Sequence, residues 1–555
     1  MQLNRRRMAQ TSLAALAAAC THGGQAEAPA LEELIVHGGP IYTGLPGQRV
    51  EALRIRDGRI VFAGALEDAY SPRIRLIDLQ GAAAFPGFID SHVHLGGVGM
   101  AAMVLDLVGV PSIAALQQRL ANYAAEHPEG AIVGRGWIET HWPEARFPNR
   151  ADLDAVVNDR PVMLRRIDGH AALVNSALLA LSGIDASTPD PDGGLIERDG
   201  DGAPTGILID NAMGMVSQAL PAPSAAMQRD AMRQAVQLYA SRGWTGAGNM
   251  STSIEESRAL HDFARAGELP LRADIYLEPE AARFVVEHST PLVSCGGAHT
   301  RGIKLYSDGA LGSRGAALLA PYADADGEGV LVTPPDELRD MLAWARANRL
   351  QAATHAIGDR GNRIVLDAYR EVFADAPEAL RTARWRVEHA QVLAHEDIPR
   401  FAAMGVIASM QPSHAISDLH FAPARLGAER LRGAYAWRTL LDSGAAIAAG
   451  SDAPVEKGDP LIEFYAACHR RDLEGRSGEG WHLEQAVSRA EALKMLTWGG
   501  AYAAHSETER GTLEPGKLAD VSVFSVDLMR APPSEIPTAQ AMLTMCGGRI
   551  THSAL

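Results

Sequence analysis

The sequence is short of cysteine, of positive charge and of long apolar runs, and each shortage narrows its function. Its four cysteines, Cys20, Cys295, Cys468 and Cys546, are widely and irregularly spaced, so they form neither a zinc ribbon nor a disulfide framework. Lys and Arg number 51 against 67 Asp and Glu, a formal net charge of −16. Phosphate binding wants a basic face, so this balance argues against nucleic acid as a partner. Beyond the N-terminus no stretch is apolar enough to cross a bilayer, which needs about 20 such residues. There is no G-x-S-x-G elbow, no H-E-x-x-H helix and no G-x-x-x-x-G-K-[ST] loop, which disfavours serine hydrolases, common metallopeptidases and P-loop enzymes.

What is present is ordinary globular material: 47% hydrophobic and 21% charged residues over 555 positions, enough for one large and one small domain. The first 20 residues read as an export signal. Asn4-Arg5-Arg6-Arg7 precedes a weakly apolar run from Met8 to Ala19 with no acidic residue, too short to span a membrane. Ala17-Ala18-Ala19-Cys20 resembles a lipoprotein cleavage site, with Ala17 where Leu is usual. The expectation is a periplasmic protein, either lipid-anchored through Cys20 or cut nearby and soluble. The arginines also resemble a twin-arginine signal. Residues 21–30 read as a flexible tether.

From residue 31 to 85, short apolar runs alternate with Gly, Pro and Asp punctuation such as Asp57-Gly58, the style of hairpin strands. Residues 506–555 have the same style, so the two ends are expected to share one small sheet domain. Between them, residues 86–505 alternate β-like runs with Ala- and Leu-rich helical stretches, which argues for a parallel sheet or barrel. The candidate strands begin at Phe88, Pro161, Thr245, Leu271, Gly302, Gln351, Trp385, Gly405 and Ala445. Several end in His, Lys or Asp, and a barrel places its chemistry at the C-terminal ends of its strands. The stretch from Gly96 to Pro270 is longer than two βα units need and is read as carrying an insertion.

His92 and His94 are two apart on a candidate strand, so both imidazoles face one side and make a ready pair for a divalent metal. Further donors follow in an order that a barrel would explain: Lys304, His355, His389 and Asp452. Each has a plainer reading. Lys304 could pair with a carboxylate such as Asp308, His355 and His389 could be core histidines, and Asp452 could cap a helix. His170, in Asp168-Gly169-His170 at a strand end, could hydrogen-bond a developing oxyanion or serve the loop. His414, after Gln411-Pro412-Ser413, could reach the barrel mouth. His141, His299, His420 and His482 have no such support.

Several segments together resemble the amidohydrolase superfamily, and within it the YtcJ-related amidohydrolase family 3, whose members include N-substituted formamide deformylase. They are Pro86 to His94, Asp168 to Ser176, Lys304 to Gly315, Thr354 to Asp359, Arg386 to Gln391, Gly450 to Pro454 and the Gly511 to Val521 tail. The resemblance implies a distorted TIM (β/α)8 barrel with a small β-sandwich formed by both chain ends. It implies one metal on His92 and His94 and a second on His355 and His389. Carbamylated Lys304 would bridge them, and Asp452 would act as ligand and proton shuttle. Trp137 and Arg314 enter as candidate pocket residues through the same resemblance, with core packing the alternative for Trp137.

The chemistry that follows is hydrolysis. A divalent metal lowers the pKa of bound water towards about 7 and polarises a carbonyl; hydroxide attacks, and Asp452 passes the proton to the leaving nitrogen. The expected substrate is a small non-peptide amide, N-substituted formamide-like or N-acyl. An esterase or lactonase would use the same site, and a non-catalytic exported metal-binding lipoprotein is the remaining alternative. Zinc suits these ligands, with iron, manganese and cobalt open. Two metals are expected, one being the alternative, and the sequence does not specify an oligomeric state.

Overall fold

The computed structural model describes residues 33–139, 142–167, 171–191, 194–220, 224–288 and 294–555. The expected export signal, tether and Cys20 lie outside them, as does His170. The chain divides into two units: a larger one comprising residues up to Leu95 and from Val236 onward, and a smaller one, Gly96–Ala235.

The larger unit is built on eight parallel strands in chain order. They are Phe88–Val93, Trp244–Thr252, Arg272–Leu277, Ala298–Tyr306, Gln351–Ala356, Arg386–His389, Ile407–Met410 and Ile447–Ala449. Every residue of the first strand is buried, as expected where helices cover a parallel sheet outside and side chains fill it inside. The fifth-strand helix, Asp359–Val372, buries Val365, Leu366 and Tyr369. The Tyr369 hydroxyl donates to the Arg386 carbonyl at 2.8 Å, tying that helix to the sixth strand.

The first and eighth strands meet just beyond their ladders. Asp452 N–H donates to the His92 carbonyl at 2.7 Å and His94 N–H to the Ala453 carbonyl at 2.9 Å. The Asp90 carboxylate accepts from Ser451 N–H at 2.9 Å and His92 N–H at 3.1 Å. A Cβ on Gly450 would lie 2.5 Å from His92 N, so only glycine permits this approach. The result is a distorted TIM barrel closed at the rim that carries the candidate donors.

Both chain ends contribute to one eight-stranded sheet. Val521–Phe524 runs antiparallel to Ala83–Pro86, with Val521 opposite Pro86 and Phe524 opposite Ala83. At the hairpin between Arg49–Arg56 and Arg59–Gly64, Asp57 and Gly58 have φ of 50° and 76°, the left-handed pair that a two-residue turn requires. Leu34, Val36, Leu53, Ile60, Val521 and Leu543 share its core.

The smaller unit corrects one expected barrel strand. Val162–Arg166 lies in a separate six-stranded sheet, between Ile132–Trp137 and Ala171–Val174. A short apolar run such as Pro161 to Leu164 fits a buried strand of any sheet, so its pattern cannot say which sheet it joins. With that run removed, the remaining candidates number one to eight. The smaller unit, Gly96–Ala235, falls within the stretch read as carrying an insertion, and Trp244–Thr252 is the second barrel strand.

Candidate metal centre

The donors converge at the C-terminal ends of the barrel strands. His92 is the last residue but one of the first strand and His94 follows the strand; their rings lie 5.4 Å apart. Lys304 is on the fourth strand, His355 on the fifth and His389 at the end of the sixth, while Asp452 follows the eighth. His389 and Asp452 have φ of 72° and 56°, a left-handed backbone that costs non-glycine residues energy and persists where surroundings enforce it.

One nitrogen each of His92 and His389 and one Asp452 oxygen lie within 4.8 Å of one another, all three residues being buried. Asp452 Oδ1 is 3.5 Å from His92 Nε2 and 3.3 Å from His94 Nε2. The His389 ring is 4.9 Å from that of His92 and 4.5 Å from that of His355. Lys304 is one of only four lysines in the chain; it is buried, with Nζ 3.2 Å from His92 Nε2. Asp308, its alternative partner, instead accepts from the Ala317, Ile357 and Gly358 amides at 2.8, 3.0 and 2.8 Å. The capping alternative for Asp452 fails as well, because the next helix, Pro460–His469, is capped by Asp459.

Electrostatics prepare these groups for a cation. Burial and then the Lys304 charge push His92 down to about 4 and His355 down to about 3. Burial, with His355 and His92 beside it, holds His389 well below the ordinary imidazole range. All three are therefore neutral at pH 7, the form that binds metal. Burial alone would raise Asp452, but at the low pH where it titrates the charge gathering on the imidazoles beside it, that of His92 first, outweighs burial and holds it well below the usual carboxylate range, so the carboxylate is ionised at pH 7. The ring nitrogens turned away from the centre have acceptors: His92 Nδ1 donates to Glu388 Oε2 at 2.7 Å and His389 Nδ1 to Gln411 Oε1 at 2.8 Å. Neutral imidazoles with anchored back nitrogens, beside an ionised carboxylate, fit a borderline divalent cation such as zinc.

Other expected site residues have different surroundings. His414 lies beside the centre: its Nε2 is 3.7 Å from Asp452 Oδ2 and has no hydrogen-bond partner among the described residues, and its ring runs nearly parallel to that of His389 at 5.9 Å. Trp137 is fully buried in the core of the smaller unit, donating its indole N–H to the Leu164 carbonyl at 2.8 Å. Arg314 is exposed and paired with Asp324 at 2.9 Å. Sequence reasoning passed over Glu388, Arg386 and Gln411. The available signal was Arg386-x-Glu388 on a buried strand, where two charges two residues apart must find partners.

A parallel barrel that gathers imidazoles and a carboxylate at its C-terminal rim is the architecture of a metal-dependent hydrolase. Residues 75–552 match the amidohydrolase family, and the chain belongs to it. It is 35% identical over 536 residues to the protein named Putative amidohydrolase YtcJ of Bacillus subtilis (strain 168), covering 93% of this chain and 99% of that one. It is 28% identical over 532 residues to the N-substituted formamide deformylase of Arthrobacter pascens, covering 90% and 95%. Among solved structures, an uncharacterized metal-dependent hydrolase from Pyrococcus horikoshii OT3 matches with a TM-score of 0.77 and 28% identity, covering 91% of this chain and 100% of that one. The protein is a hydrolase of this family.

Proposed function

We propose that the protein hydrolyses the C–N bond of a small non-peptide amide, formamide-like or N-acyl, with two zinc ions held at the barrel rim. The observation that carries this reading is Asp452, an ionised carboxylate within 3.3 to 3.7 Å of nitrogens of His94, His92 and His414. His92, His94 and Asp452 would hold one ion and His355 and His389 the other, with Lys304 between them as a carbamate. That carbamate would form when Nζ gives up its ammonium proton, attacks CO2 with the freed lone pair and releases a second proton. A metal held there would supply an activated water and a polarised carbonyl at neutral pH. Asp452 would accept a proton from the attacking water and deliver it to the departing nitrogen, releasing amine and acid. His414, whose Nε2 lies beside Asp452 and has no hydrogen-bond partner among the described residues, would hold a substrate oxygen. The amide preference draws support from the Arthrobacter pascens relative, whose name specifies formamide deformylation.

The test is metal content of the purified chain, measured beside hydrolysis of N-formyl, N-acyl and lactone compounds with and without chelator. About two zinc per chain and chelator-sensitive amide cleavage are expected. Cleavage of lactones alone would replace the amide reading with an esterase one. A single bound metal would remove Lys304 as the bridge.

A further inference from the structure

We infer that Glu388 is a positioning residue that acts on the metal centre through His92, and that its negative charge, not only its hydrogen bond, makes His92 the stronger imidazole donor. This rests on the metal-centre reading above. Glu388 is fully buried, and so is His92. Oε2 of Glu388 takes the Nδ1 proton of His92 at 2.7 Å, which leaves the Nε2 lone pair facing Asp452 and Lys304. A carboxylate behind an imidazole fixes its tautomer and raises its basicity. His389 has a neutral acceptor in the same place, Gln411 Oε1 at 2.8 Å. The two histidines are thus held alike in geometry and differently in charge.

The carboxylate is itself held by a buried cation. Arg386 Nε donates to Glu388 Oε1 at 2.8 Å and Nη2 to Oε2 at 3.0 Å. The remaining guanidinium donors reach the Ser91 carbonyl at 2.7 Å, Ser409 Oγ at 2.7 Å and Tyr276 Oη at 3.0 Å. Glu388 is therefore anchored to the first, third and seventh strands through one side chain. Burying such a pair adds little stability over apolar residues of similar size. Stability does not account for it, whereas a fixed charge directed at a metal-facing imidazole does.

The experiment compares the full-length protein with Glu388→Gln, with the double variant Arg386→Met/Glu388→Gln, and with Gln411→Leu. Zinc affinity is read by competition with a chromophoric chelator, and the ligand field by the visible spectrum of Co2+-loaded protein. Glu388→Gln alone leaves Arg386 as an unbalanced buried cation and can fail to fold; the double variant removes both charges while the introduced amide oxygen still accepts from His92. The double variant is expected to bind zinc about 10- to 100-fold more weakly and to change the Co2+ spectrum, with a smaller loss for Gln411→Leu. Wild-type affinity and spectrum in the double variant would reduce Glu388 to a partner of Arg386 and overturn the inference. So would an equal or larger loss for Gln411→Leu. A wild-type chain that binds neither zinc nor Co2+ would overturn the metal-centre reading itself, a result distinct from either.

Discussion

The two ends of the barrel treat buried charge in opposite ways. At the base, Asp274 on the third strand accepts from Arg301 at 2.8 Å and Arg510 at 2.5 Å, and Asp520 takes two bonds from Arg272 at 2.8 and 3.1 Å. Each carboxylate has its own guanidinium, and these pairs join the barrel to the terminal sheet. At the rim, Asp452 is surrounded by neutral imidazoles, and no arginine is ion-paired to it among the described residues. The base carboxylates are balanced by guanidinium groups, whereas at the rim Asp452 has imidazoles around it, with the Lys304 amine beside His92 and the Arg386–Glu388 pair set behind that ring. In a barrel this difference separates the end that holds the fold from the end that does chemistry.

The largest expected effect tests the rim. Asp452→Asn keeps the shape and removes the proton acceptor, so kcat on the amide substrate should fall by about 10³-fold with a melting temperature close to wild type. Near-wild-type turnover would deny Asp452 its shuttle role. Next comes the base: Asp274→Asn strands Arg510 beside a neutral group, and breaking a buried pair costs about 3–5 kcal/mol. Denaturant melts should show that loss while zinc bound per folded chain stays constant. A loss under about 1 kcal/mol would mean that solvent, not Asp274, balances Arg510.

Acidification sharpens the same contrast. Burial pushes His261 and His299 down from 6.5 to about 4, so in this range the unfolded chain binds protons that the folded chain refuses. The stability that these two histidines contribute then falls as pH drops from 6.5 towards 4. Asp274 adds to the loss at lower pH: burial opposes its ionisation, but Arg510 and Arg301 prevail and hold it below the usual carboxylate range. Calorimetry on wild type and Asp452→Asn should give parallel slopes, and His261→Asn a shallower one; an unchanged slope in His261→Asn would remove His261 as a source. The smallest effect is expected at Arg314, whose exposed pair with Asp324 lies in solvent. Arg314→Ala should leave both melting temperature and KM unchanged, and a raised KM would return Arg314 to the substrate pocket.

Much of the site was legible because metal chemistry restricts residue types. His92 and His94 share a strand face through a two-residue period, and Lys304, His355, His389 and Asp452 each fall at or near a strand end. The alternation of β-like and helical runs implied a parallel sheet or barrel, and the family resemblance implied the TIM barrel. Glu388 was not legible, since its role depends on His92, 296 residues away in sequence. Val162–Arg166 was misplaced for a related reason: buried strands read alike whichever sheet receives them.

By itself the sequence determined which residues could bind a metal and the order in which the strands would present them, because periodicity and donor chemistry are local properties. Only the tertiary structure decided that the Gly450 backbone approaches His92 closely enough to close the rim, that Trp137 packs as core, and that Arg386 holds Glu388 behind His92. Those are distances between remote segments, set by how the strands pack against one another, and no local pattern encodes them.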